Sequence, residues 1–118
     1  MHNFKELQVW QRGIDIAQNV YQLTSSFPSE EKFGIISQIR RCAVSVPSNI
    51  AEGSGRKTDK DFSNFLSYSL GSQFELETQL IISNRVGFMS NEQLTNTTKE
   101  LNEIQKMTRT LIEKFSKV

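Results

Sequence analysis

Apolar residues recur along this chain at three- and four-residue intervals, and no stretch alternates apolar with polar as a half-buried strand would. Four segments carry that period, separated by short clusters of Pro, Gly, Ser and Asn, so the pattern predicts an all-α fold. The first segment, about Leu7 to Thr24, has Leu7, Trp10, Ile14, Ala17 and Tyr21 on one stripe. Val9, Ile16, Val20, Leu23 and Phe27 form a second. So wide an apolar arc exceeds what one packing neighbour needs, and it fits a helix central to the bundle or one that also faces another subunit. Ser25-Ser26-Phe27-Pro28 ends the segment, because proline cannot continue a helix and biases the residue before it towards extended backbone.

The second helix is expected to begin near Ser29 to Phe33, with Glu30 and Glu31 at its positive end, and to run to about Gly53. Thr58 is a predicted N-cap for the third, which carries Asp59 and Asp61 in its first turn and continues to Val86-Gly87. Ser90-Asn91-Glu92-Gln93 has the spacing of a capping box and opens the fourth, followed by Leu94, Leu101, Ile104, Leu111 and Phe115. Short connections make consecutive helices antiparallel. The expected architecture is a single domain over residues 1–118, an up-down-up-down four-helix bundle.

The second helix has two unlike faces. Ile35, Ile39, Cys42, Ala43, Val46 and Ile50 share one side, while Gln38, Arg41, Ser45, Ser48, Asn49, Glu52 and Arg56 gather on the other. Ser and Asn compete with the helical backbone for hydrogen bonds, so a run of them points to a close approach by a neighbour. Pro47 deletes one backbone hydrogen bond at a cost of about 3 kcal/mol unless the helix bends. A kink at Pro47 is therefore expected, with two shorter helices broken at Val46-Pro47 as the alternative. The third helix shows a similar run at Ser67, Ser69, Gly71, Ser72 and Gln73, where a mid-helix glycine implies a tight contact. Antiparallel packing would bring this run near Arg40, Arg41 and Ser45. An ion-pair network of Arg41 or Arg40 with Glu75 or Glu77, completed by the serines and Asn49, is the structural expectation.

Charge limits the functional classes. With 14 Lys and Arg against 13 Asp and Glu, the net charge is +1, and nucleic acid can be held only through a local patch. Arg40, Arg41, Arg56, Lys57 and Lys60 are the candidates, where the turn from Gly53 to Thr58 meets the start of the third helix. Glu52, Asp59 and Asp61 lie among them. Cys42 is the single cysteine, which excludes an internal disulfide, and the opening MHNFKELQVW has no apolar core of a signal sequence. A cytoplasmic protein with no membrane span is expected. Metal-carboxylate bundle chemistry needs histidines on the helices, and the only one is His2. GSGRKT lacks the spacing of a phosphate loop, and Ser45 has no histidine to act as its base. No enzymatic activity, cofactor or small-molecule substrate is expected.

The runs SQIRRCAVSVPSNIAEGSGR and FSNFLSYSLGSQFELETQL, with the early FKELQVWQRGIDIAQNVY, resemble the four-helix-bundle proteins encoded in intervening sequences of bacterial 23S ribosomal RNA genes. They are also similar to the accessory proteins of diversity-generating retroelements. Relatives carry alanine more often where this chain has Cys42. The resemblance implies a non-enzymatic bundle that assembles into pentameric rings, and in the retroelement relatives it implies contact with RNA and a reverse transcriptase. Two functions follow as expectations: a nucleic-acid-binding accessory module, with structured RNA or a reverse transcriptase as partner, or a self-assembling scaffold whose polar arc is an interface or internal network.

Overall fold

The four apolar segments become four long helices and no strand among the described residues, 1–117, of the computed structural model. These are α1 (Gln8–Thr24), α2 (Ile35–Ser54), α3 (Asp59–Arg85) and α4 (Asn91–Ser116). Cross-helix contacts fix their directions. Along α1 and α2, Gly13 meets Pro47 while Arg40 reaches back to Thr24. Along α2 and α3, Gly53 meets Phe62 and Phe65, Ser69 bonds Val46, and Cys42 bonds Ser72. Between α3 and α4, Ser63 bonds Ile112 and Gln105 bonds Glu77. Arg12 joins α1 to Glu100 on α4. Each pair therefore runs antiparallel, and the helices close in the order α1, α2, α3, α4.

Local chemistry explains the ends. Thr58 Oγ1 accepts Asp61 N–H at 3.1 Å at the start of α3. Ser90 and Gln93 form the full capping box on α4, at 3.1 and 2.9 Å. Gly87, at φ 86°, turns the chain left-handed after α3, so that Gly87 N–H bonds Asn84 O and Phe88 N–H bonds Ser83 O. At α2 the boundary differs from expectation. Ser29–Glu31 is a separate 3-10 turn, and Gly34 (φ −105°, ψ −116°) divides it from a helix that begins at Ile35. Glu30 and Glu31 thus stand on the 3-10 turn and not on the first turn of α2.

Helix α2 continues through Pro47, so it is not divided at Val46-Pro47. The proline ring is buried against Gly13 of α1, where an added Cβ would lie 3.3 Å from Pro47 Cβ. Glycine on one helix is what admits the proline of the other.

Ile16, Ile39, Ile50, Phe62, Leu66, Leu76, Leu80, Leu101 and Ile104 fill the centre and are fully buried. A polar layer crosses them. Ser69 Oγ donates to Val46 O at 2.8 Å, Gln73 Nε2 donates to Ser69 Oγ and to Thr108 Oγ1 at 3.2 and 3.0 Å, and Thr108 Oγ1 donates to Ile104 O at 2.7 Å. Three helices share it, which fixes their relative heights. Of the two apolar stripes expected on α1, Val9, Ile16 and Val20 are core, whereas Ile14 and Tyr21 stay exposed. No helix among the described residues is long and apolar enough to cross a membrane.

Candidate functional site

The polar arc of α2 borders an open cleft against α3 of about 550 Å³, lined in part by Phe33, Gln38, Arg41, Cys42, Ser45, Ser72 and Glu75. Two of its polar side chains turn back onto their own helix. Ser45 Oγ donates to Cys42 O at 2.6 Å, and Asn49 Nδ2 donates to Ser45 O at 2.9 Å. Neither bridges to α3. The expected ion-pair network does not form within the protomer: no salt bridge among the described residues joins Arg40 or Arg41 to Glu75 or Glu77. Adjacent helix positions diverge by about 100°, so the two arginines part company. Arg40 goes to α1, where Nε donates to Thr24 Oγ1 at 2.9 Å and the guanidinium lies 4.7 Å from the Tyr21 ring centre. Arg41 points outward, exposed, with no hydrogen bond or ion pair among the described residues; Gln38 is exposed beside it. Glu77 faces α4 and accepts Gln105 Nε2 at 2.8 Å. Glu75 stays exposed, its one polar contact among the described residues being the Cys42 thiol at 3.5 Å.

Cys42 lies at the floor of the cleft and donates to Ser72 O at 3.1 Å. Burial pushes its pKa up to about 12, assisted by the charge and hydrogen bond of Glu75. A thiol held neutral is a poor nucleophile. Native protein at pH 8 should therefore resist a disulfide-exchange reagent that titrates the urea-unfolded chain at once; equal rates in both states would show the cleft opening readily.

The five cations expected to form a nucleic-acid patch are not brought together. Arg40 and Arg41 stand near the start of α2, about 20 Å along the helix from Arg56, Lys57 and Lys60 at its other end. Arg56 bonds Glu52 at 3.2 Å and covers the Phe65 ring at 4.5 Å. Asp59 is taken by His2 at 2.9 Å. Lys57 and Lys60 are exposed.

Two features escaped the sequence reading. Arg12, half-buried, clamps α1 to α4 by bonding Glu100 at 3.4 Å and, more closely, Glu103. Its hydrogen bond and charge hold the Glu103 carboxyl below the usual carboxylate range. A carboxyl whose folded value is lowered contributes its stability above the ordinary value, about 4.3, and loses it as pH falls through the lowered one. The melting-temperature gap between wild type and Arg12→Gln should accordingly be widest near neutrality and narrow as the pH falls below the ordinary carboxylate value.

The second feature is where charge lies. Helix α4 carries Glu92, Lys99, Glu100, Glu103, Lys106, Arg109, Glu113 and Lys114. Between Phe62 and Asn84, α3 has only Glu75 and Glu77; α1 has only Arg12 and Asp15. Yet α3 exposes Tyr68, Phe74 and Ile82, with Val86 just past its end, α1 exposes Ile14 and Tyr21, and α2 exposes Val44. Phe33, beside the cleft, is 90% exposed. Depletion of charge around exposed aromatic and aliphatic groups is the composition of surfaces that meet protein. A count of charged residues per helix would have revealed it.

Comparison with known proteins gives the following. A family model described as 23S rRNA-intervening sequence protein matches residues 5–110. A crystal structure of a protein with unknown function from the S23 ribosomal protein family, from Bacteroides thetaiotaomicron VPI-5482, is similar at a TM-score of 0.79. The two are 24% identical, over 88% of this chain and 97% of that one, a likeness of fold. No curated protein matches the chain.

Proposed function

This chain belongs to the 23S rRNA-intervening sequence protein family, and from that premise we propose that it works as a non-enzymatic, self-assembling scaffold, pentameric as the resemblance implies. One observation carries the reading: α1, α2 and α3 present outward faces poor in charge and dotted with exposed apolar side chains, while charge is concentrated on α4. A protomer alone in water gains nothing from leaving Ile14, Tyr21, Val44, Tyr68 and Ile82 uncovered; burial against copies of itself stabilises them. Light scattering on the purified chain at micromolar concentration tests this. A mass several times 13.5 kDa is expected, and a monomer overturns the reading.

A second reading adds nucleic acid to the same scaffold. It is favoured by the end of the bundle where Glu52 is occupied by Arg56 and Asp59 by His2, leaving Lys57 and Lys60 exposed beside the start of α3. Repeated around a ring, so small a basic spot gains by avidity. Filter binding to a structured RNA should then weaken steeply with salt and fail in Lys57→Glu/Lys60→Glu. Absence of binding at low salt removes this reading and leaves the scaffold intact.

A further inference from the structure

We infer that the outward face of α3 in one copy docks on the α1–α2 face of the next, Glu75 of the first meeting Arg41 of the second, and that α4 is left to solvent. The inference rests on the scaffold reading and says which surfaces build it.

Position along the helices supplies the first argument. Tyr68, Gly71, Glu75, Thr78 and Ile82 follow one another at three- and four-residue steps, so they form a single outward stripe on α3. Ile14 and Tyr21 form another on α1, and Val44 with Arg41, one turn apart, borders it on α2. The α1 and α3 stripes are set apart, because those two helices do not touch, and the areas approach each other only at the α2–α3 cleft that Arg41 and Glu75 border. A two-fold contact uses one self-complementary patch, whereas two unlike patches pair head to tail, giving a ring where the rotation closes.

Charge supplies the second. Arg40 and Arg41 on the α1–α2 face and Glu75 on the α3 stripe have no ionic partner among the described residues, and the exposed two are Glu75 and Arg41. Both border the same cleft and still do not pair within the protomer, while Arg40 is already bound to Thr24 and Tyr21. Opposite charges on surfaces otherwise poor in charge set the register of a contact and exclude wrong ones.

Gly71 supplies the third. A Cβ built there meets nothing within 4 Å, so no neighbour inside the protomer explains a glycine in the middle of this helix. It stands one turn from Glu75, where its missing side chain lets a second backbone come close.

Sedimentation velocity on wild type, Arg41→Glu, Glu75→Arg, the double exchange and Gly71→Leu tests this, with circular dichroism as the check on folding. All five should be equally helical, because every changed side chain is exposed and Gly71 has room for a larger one. Each single charge reversal should raise the dissociation constant of the assembly by roughly tenfold or more, the double exchange should restore it, and Gly71→Leu should abolish assembly. Single reversals that assemble like wild type, or a double exchange as dissociated as either single, overturn the docking and leave the scaffold standing. A monomeric wild type overturns both.

Discussion

Gly53→Ala is expected to lower unfolding stability by about 2–3 kcal/mol, even though alanine is the better helix former by about 1 kcal/mol. The reason is the closeness of α2 to α3. A Cβ on residue 53 would fall 2.5 Å from Phe65 Cβ and 2.9 Å from Phe62 Cδ1. The first of these atoms is fixed to the α3 backbone and cannot rotate aside, so the helices themselves must part. Equilibrium urea unfolding of the variant should show a lower midpoint; a midpoint at or above wild type would mean that the two helices separate at no cost.

Phe62→Ala is expected to cost more, about 3–5 kcal/mol. The ring is fully buried, stacks on Phe115 at 5.1 Å and contacts the His2 ring at 4.9 Å, so it joins α3, the last turn of α4 and the residues before α1. Its removal leaves a cavity where those three segments converge. Because Phe62 is also one of the atoms crowding position 53, the two substitutions touch and should not add: in the double variant, Gly53→Ala should cost less than it does alone. Strict additivity would show that the strain falls on Phe65 only.

Much of this bundle is legible in the residues because caps and breakers act locally. Pro28, Thr58, Ser90 and Gly87 each work through their own or adjacent backbone groups, and helices begin or end near all four. What periodicity leaves open is the direction of each face. It marks Gly71 as a mid-helix glycine that needs a reason, yet the tight contacts are at Gly53 and Gly13, and Gly71 opens outward. It marks Arg40 and Arg41 as a pair near acidic residues, yet their 100° separation sends one to α1 and the other to solvent. Ile14 and Tyr21 look like core by type; whether an apolar stripe turns inward or towards another copy depends on tertiary geometry that a helical period does not encode. The separation of Arg40 and Arg41 from Lys57 and Lys60 follows from the length of α2 alone and was open to calculation from the start.

His2 donates its backbone N–H to Ser54 O at 2.8 Å and lays its ring 4.9 Å from that of Phe115, which brings residues 2 and 115 to the same end of the bundle. A short linker can therefore join these two ends without moving the helices. A circular permutant with a few glycines and serines between Ser116 and His2, opened at the exposed Glu30, should fold to the same arrangement, giving a way to carry a reporter group to the far end of the molecule.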